Sequence, residues 1–94
     1  MSQIPQKTDV VVIGAGLAGL AAARRLVIAG RQVCVIDASD AVGGRIRTDE
    51  VDGLLLDRGF QLYNPSYYEG LSVLDLKLLD VMSFSPGVIV SIDG

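Results

Sequence analysis

One stretch near the start of the chain restricts the possible folds more than any other. An apolar run, Val10–Ile13, leads into glycines at positions 14, 16 and 19 and then into an alanine-rich segment. A short run of β-branched residues is typical of a strand buried on both faces of a parallel sheet. Glycines at this spacing permit a tight turn, close approach of a pyrophosphate and close packing of the next helix. The stretch therefore predicts a strand, a dinucleotide-binding loop and a helix.

The candidate phosphate-binding residues are those of the loop and the first helical turn. Backbone N–H groups without an intrahelical acceptor, together with the positive end of the helix dipole, can face the phosphates there. The glycine spacing alone is a weak signal, because surface turns also use glycine freely. These candidate residues are Gly14, Ala15, Gly16, Leu17, Ala18 and Gly19.

The residues after the loop predict a βαβ unit. A helix is expected over Leu17–Ala29, with Gly30 as its left-handed cap, followed by a second apolar strand over Val33–Ile36. Asp37 ends that strand, eighteen residues after Gly19, where a carboxylate can accept hydrogen bonds from the adenosine ribose. A carboxylate there also repels a 2′-phosphate, which disfavours NADP. The alternative for Asp37 is a solvated strand-end acid or a turn cap.

Composition excludes several classes of function. The net charge of −3 and the absence of a basic run argue against a nucleic-acid partner. Without histidine, and with Cys34 as the one cysteine, the chain predicts neither a metal site nor an internal disulfide. Cys34 is expected to be a small buried residue rather than a reactive thiol.

The apolar run from Val10 to Ala23 is the part of the chain that could be mistaken for a membrane or secretory segment. It is too short for a membrane span, and Asp9 in front of it disfavours a signal peptide. We therefore expect a cytoplasmic location, while association with a membrane stays open.

A segment shortly after Asp37 carries a resemblance to a known family. Gly43, Gly44 and Arg45 follow the acidic residue closely, and Thr48 lies just beyond them. Together with the upstream glycines, this combination resembles the flavin-dependent amine oxidases and their phytoene-desaturase-like and protoporphyrinogen-oxidase-like relatives. Paired glycines let a backbone lie against a bulky cofactor, and a guanidinium can pair with phosphate charge. Taken by themselves, the paired glycines could equally form a simple surface turn.

The resemblance implies FAD as the cofactor. It implies that Asp37, beside Ala38, contacts the adenosine ribose and that the Gly-Gly-Arg segment touches the FAD. The sequence departs from the family pattern at Asp37, where Glu is commoner, and at Ala41, where the family often has a basic residue.

A later segment, Asp57 to Gln61, is similar to the one that passes beside the flavin ring in this family. The resemblance places Gly59, Phe60 and Gln61 near the isoalloxazine. The alternative is a simple strand exit in which Asp57 pairs with Arg58 or Arg45.

The rest of the chain predicts short elements. A β-hairpin is predicted where Asp-Gly lies between two short strands, Thr48–Val51 and Leu54–Leu56. Ser66 and Glu69 form a capping-box pattern that starts a helix ending near Leu74. Two further short strands are predicted near the end of the chain, Val81–Phe84 and Val88–Ile92.

These elements predict an α/β fold: the N-terminal βαβ unit of a Rossmann-like FAD-binding domain, with an appended β-hairpin and a short helix. Residues 1–7 are expected to be a flexible lead-in. Only two parallel strands are visible, so we expect an incomplete sheet. We also expect the 94 residues to be the N-terminal part of a longer enzyme whose substrate domain lies outside this chain.

The resemblance favours a flavin-dependent oxidoreductase that takes a hydride equivalent from a small amine or lipophilic compound. No catalytic residue can be named. Two alternatives stay open: an NAD-binding dehydrogenase domain, which the Gly-Gly-Arg segment speaks against, and a non-catalytic binding protein on the same scaffold, like the GDP-dissociation inhibitors.

Overall fold

The computed structural model describes residues 3–59 and 62–93. Contacts divide the chain into two compact units, and the boundary in the sequence falls between Tyr63 and Asn64. The elements, in chain order, are β1 (Val10–Ile13), α1 (Leu17–Ile28), β2 (Val33–Ile36), β3 (Thr48–Val51), β4 (Leu54–Asp57) and α2 (Tyr68–Val73).

The first unit begins with a βαβ arrangement. β1 and β2 pair in parallel, with Val10 opposite Val33 and Ile13 opposite Ile36, and α1 connects them and contacts both strands. The expectation that β1 is buried on both faces is wrong for the described residues, because half-buried and exposed side chains alternate along it and Ile13 is 86% exposed. The physical reason is that α1 supplies apolar contacts on one side of a two-stranded sheet.

The end of α1 follows the sequence pattern closely. Gly30 has a φ of +80°, and its N–H donates to Val27 O at 2.9 Å while the Arg31 N–H donates to Leu26 O at 3.0 Å. This pair of bonds is the Schellman motif, which satisfies carbonyls that the helix leaves without a partner. The helix itself ends at Ile28, one residue earlier than expected.

The predicted hairpin is present. β3 and β4 are antiparallel, with Val51 opposite Leu54. Both turn residues have a positive φ, +51° at Asp52 and +78° at Gly53. Two left-handed residues make the type I′ turn, whose twist matches that of the flanking strands.

The second unit differs from the sequence-based expectation at the start of its helix. α2 begins at Tyr68, with Tyr67 as the N-cap and no side-chain cap hydrogen bond, so the capping box predicted at Ser66 is wrong. Asn64 Oδ1 accepts the Ser66 N–H at 2.9 Å. This Asx turn engages the backbone of Ser66 before the helix begins.

The two strands predicted near the end of the chain are also wrong. Residues 81–93 form neither helix nor strand, and Ile89 is fully exposed. A strand requires a partner for its backbone hydrogen bonds, and an apolar run alone does not supply one. Neither described helix is long and apolar enough to cross a membrane.

Candidate functional site

The glycine loop lies at the carboxyl end of β1, beside the end of β2. The Gly14 N–H donates to Ile36 O at 2.7 Å, which ties the loop to the second strand. Gly14 has a φ of +104°, a conformation that side chains disfavour. A Cβ on Gly19 would collide with the carbonyl of Gly14. Absence of a side chain at Gly19 therefore lets α1 approach the turn closely.

The N-terminal end of α1 is open for an anionic group. The first hydrogen bond of the helix runs from the Leu20 N–H to Gly16 O at 3.0 Å, so the N–H groups of residues 17–19 have no intrahelical acceptor. Leu17 and Ala18 are exposed. The first turn contains no acidic residue that would repel a phosphate. The helix dipole adds a partial positive charge at this end.

Asp37 connects the end of β2 to the glycine loop. Its Oδ2 accepts the Ala15 N–H at 2.7 Å, and its Oδ1 accepts the Ser39 N–H at 2.8 Å and the Ser39 hydroxyl at 2.6 Å. These bonds, the Ser39 hydroxyl first and the Ala15 N–H second, lower the pKa of Asp37 to about 2. Sequence reasoning missed Ser39, although an acid two residues before a serine is a known signal for a local turn.

Gly43 and Gly44 pack directly on the glycine loop. The Gly43 N–H donates to Ala15 O at 2.8 Å, and Gly43 forms an isolated parallel bridge with Gly16. A Cβ on Gly44 would lie 3.2 Å from Gly16 Cα. The two glycine segments predicted from the sequence are thus adjacent in space, which a simple surface turn would not require.

Arg47 braces the Gly-Gly segment and was not among the predicted site residues. Its Nη1 lies 2.8 Å from Asp40 Oδ1, and its side chain is only 16% exposed. A Cβ on Gly43 would approach Arg47 Cγ to 3.1 Å. The hydrogen bond and the charge of Arg47 lower the pKa of Asp40. This ion pair closes the segment that contains the two glycines.

Gly59 and Arg45 lie against each other. A Cβ on Gly59 would collide with the carbonyl of Arg45, so the structure brings together the two segments that the resemblance assigns to FAD. Arg45 is exposed. Phe60 and Gln61 lie outside the described residues.

The alternative pairing proposed for Asp57 is wrong. Asp57 accepts the Thr48 hydroxyl at 2.5 Å. Arg58 instead forms two hydrogen bonds of 2.7 Å with the carboxylate of Asp49, which lowers the pKa of Asp49 and raises that of Arg58. Both contacts join β3 to β4 or to the residue after it, and they stabilise the hairpin.

A shallow depression, largely open to solvent, lies at the edge where β1 and β2 end. Its volume is about 480 Å³, enough for part of a nucleotide. In open α/β sheets, ligands bind at the carboxyl ends of the strands. Its lining combines apolar side chains with one carboxylate: Ile13, Gly14, Ile36, Asp37 and Ala38.

The described residues contain no group of three or more His, Cys, Asp or Glu side chains that could hold a metal ion. Cys34 is a free, half-buried thiol within β2.

Comparisons with known proteins identify related enzymes. Putrescine oxidase from Kocuria rosea is 50% identical over 74 residues, which cover 79% of this chain and 16% of that protein. Polyamine oxidase 1 from Oryza sativa subsp. japonica is 49% identical over 59 residues, covering 60% of this chain and 12% of that protein. All-trans-retinol 13,14-reductase from Homo sapiens is 47% identical over 58 residues, covering 62% of this chain and 10% of that protein.

Structural comparison agrees with these matches. Wild-type putrescine oxidase bound to putrescine superimposes with a TM-score of 0.68 at 44% identity, covering 82% of this chain and 17% of that one. The chain thus spans about a sixth of the length of putrescine oxidase. Residues 17–87 match the family described as flavin containing amine oxidoreductase, which confirms the predicted flavin cofactor, FAD. The chain therefore belongs to the family of flavin-containing amine oxidoreductases, as its sequence resemblance predicted.

Proposed function

We propose that this chain is the N-terminal, FAD-binding part of a longer flavin-dependent oxidoreductase. Its βαβ unit is the beginning of a Rossmann-like sheet, to which residues elsewhere in the protein add strands. The observation that carries the proposal is the convergence of the glycine loop, Asp37 and the Gly43-Gly44 pair at the carboxyl edge of β1 and β2. Ligands of α/β sheets bind at such an edge.

Each part of this edge suits one part of FAD. Residues 14–19 hold the pyrophosphate, through the N–H groups of the first helical turn and the absence of side chains at three positions. The carboxylate of Asp37 accepts a ribose hydroxyl, with Ala38 beside the adenosine. Gly43, Gly44 and Arg45, packed against the loop and against Gly59, continue along the cofactor. Phe60 and Gln61 complete the predicted set near the flavin ring.

The proposed reaction is oxidation of a small-molecule amine. Bound FAD supplies the hydride acceptor, while the residues of this chain bind it, orient it and balance its phosphate charge. The supporting observation is the similarity to putrescine oxidase and polyamine oxidase. A lipophilic substrate is the second candidate, because a retinol reductase is also similar. Family membership favours FAD over NAD, and catalysis over a purely binding role on this scaffold.

The test uses the purified full-length protein. We expect flavin absorbance, release of FAD on denaturation, and anaerobic bleaching of the flavin on addition of putrescine or another polyamine. Reoxidation of the chemically reduced flavin by a retinoid, without bleaching of the oxidised flavin by amines, would favour the second candidate. A colourless protein that binds no added FAD would falsify the cofactor assignment.

A further inference from the structure

Two carboxylates tie β1 and β2 together at opposite ends of the strand pair. At the amino-terminal end of the strands, Asp9 Oδ2 accepts the Gln32 N–H at 2.8 Å. At the carboxyl end, Asp37 Oδ2 accepts the Ala15 N–H at 2.7 Å. In each bond, a carboxylate next to one strand accepts a backbone N–H next to the other strand. The second of them is attached to the glycine loop itself.

The acceptor positions of Asp37 are largely occupied before any cofactor is considered. An ionised carboxylate has about four lone-pair positions. The Ala15 N–H takes one, and the N–H and hydroxyl of Ser39 lie within hydrogen-bond distance of the other oxygen, at 2.8 and 2.6 Å. Ala15 is only 3% exposed, so its N–H has little access to water as an alternative acceptor.

We infer that Asp37 is a positioning residue, which holds the glycine loop in its binding conformation before FAD arrives, and that Ser39 orients the carboxylate for this task. The inference deepens the proposed function and rests on it only for the identity of the ligand. A carboxylate that served the ribose alone would have no task in the cofactor-free protein. Here the same carboxylate fixes the backbone between Gly14 and Gly16.

The ionisation of the Asp37 carboxylate allows it to hold the glycine loop continuously. With its pKa lowered to about 2, Asp37 is ionised throughout the neutral range and accepts the Ala15 N–H continuously. Hydrogen bonds to an ionised acceptor are shorter and stronger than neutral ones. A loop that is already ordered avoids the loss of affinity that comes when only a fraction of the protein is competent to bind.

The first test measures amide hydrogen exchange in the cofactor-free, full-length protein. In Asp37→Asn one side-chain oxygen is replaced by an NH₂ group, so the amide cannot accept from both Ala15 and Ser39. We expect exchange at Ala15 to accelerate about tenfold, by more than the fall in global stability accounts for. The matched control, Asp9→Asn, loses a bond of the same kind at the other end of the sheet. It should accelerate exchange at Gln32 and leave Ala15 protected.

The second test measures the rate of FAD binding and keeps the Asp37 carboxylate. Ser39→Ala removes the hydroxyl that lies 2.6 Å from Asp37 Oδ1 and 2.8 Å from Ala41 O, and it leaves the ribose acceptor in place. We expect FAD association to slow by about two- to threefold, with dissociation unchanged, because fewer molecules have an ordered loop. If Asp37→Asn fails to fold, Ser39→Ala still tests whether Asp37, oriented by Ser39, orders the glycine loop before FAD binds.

Unchanged Ala15 exchange in Asp37→Asn, or an unchanged association rate in Ser39→Ala, would overturn the inference and leave Asp37 with a ribose contact only. A wild-type protein that binds no FAD, yet shows the Asp37-dependent protection of Ala15, would instead contradict the proposed function. The positioning role of Asp37 would then still be supported.

Discussion

At the scale of single residues, the ionisation of Asp37 can be tested directly. The Ser39 hydroxyl and the Ala15 N–H lower its pKa to about 2 from an ordinary 3.8. A carboxyl whose folded pKa is lowered stabilises the folded state fully above pH 3.8, and this contribution is lost as the pH falls towards 2. In a carboxyl NMR titration of the full-length protein, the Asp37 signal should therefore stay in its ionised position down to about pH 3.

Ser39→Ala should shift the Asp37 titration upwards, because it removes the largest cause of the lowered pKa. Titration of Asp37 at its ordinary pKa in both proteins would show that these hydrogen bonds are absent in solution.

Glycines inside and outside the candidate site differ in what a side chain would meet, which gives a matched pair of substitutions. At Gly43 the φ is +112° and a Cβ would lie 2.7 Å from Ile46 O, whereas at Gly53 the φ is +78° and no atom lies within 4 Å. Gly43→Ala should destabilise the protein by about 2–3 kcal/mol through strain and collision. Gly53→Ala should cost about 1 kcal/mol through strain alone.

The measurements for this pair are denaturant unfolding and FAD titration of the full-length protein. Gly43→Ala should also weaken FAD binding, because Gly43 is bonded to Ala15 in the loop, while Gly53→Ala should not. Equal effects of the two substitutions on FAD binding would contradict the packing of Gly43 on the loop.

At the scale of structural elements, two arginine–aspartate ion pairs can be compared. One stabilises a segment of the candidate site, and the other stabilises the hairpin. Arg47 pairs with Asp40 at 2.8 Å and is 16% exposed, while Arg58 pairs with Asp49 at 2.7 Å and is 44% exposed. The first pair closes the segment that carries Gly43. The second joins β3 to the residue after β4. Solvent reaches both pairs, since the Asp40 side chain is 81% exposed, so the pairs differ mainly in which segment they hold.

Arg47→Met should therefore raise the Kd for FAD by about tenfold, and Arg58→Met by less than about twofold. Methionine keeps much of the side-chain volume, so the comparison reports mainly on the lost ion pair. Equilibrium titration of each apoprotein with FAD measures the effect. If Arg58→Met weakened FAD binding as much as Arg47→Met, the bracing role of Arg47 would be wrong.

The elements also show which features a sequence can predict. β1, α1, β2 and the hairpin were predicted because their signals are local: apolar runs, a C-cap glycine and an Asp-Gly turn. The start of α2 was misplaced because the Asx turn at Asn64 competes with a capping box at Ser66. The strands expected after residue 80 were wrong because an apolar run does not determine whether a pairing partner exists.

The candidate site likewise has features that the sequence predicts and features that it does not. Its glycines and Asp37 were recognisable from spacing and from the family resemblance. The bond between Asp37 and Ala15 joins residues 22 positions apart, and the ion pair of Arg47 with Asp40 depends on how the chain folds back between these two residues. Such contacts follow from tertiary packing, for which no short motif in the sequence is a signal.

At the scale of the whole chain, exposed apolar surface determines what the isolated 94 residues should do. Only Ala15 and Ala23 are buried hydrophobic residues among those described, whereas Ile13 is 86% exposed in the first unit and Ile89 is fully exposed in the second. Large exposed apolar patches and free strand edges promote association. The burial of so little apolar surface also leaves a small driving force for folding.

We therefore expect the isolated 94-residue chain to self-associate and to unfold without a sharp thermal transition, as measured by size exclusion and circular dichroism. Ile13→Thr and Ile89→Thr, which reduce exposed apolar area without adding charge, should lower the associated fraction. Substitution of Ala23, which is 8% exposed, by Ser is the control, because it changes little of the exposed surface. A monomeric wild-type chain with a cooperative transition would mean that these surfaces need no partner, and would argue against the proposal that it is part of a larger enzyme.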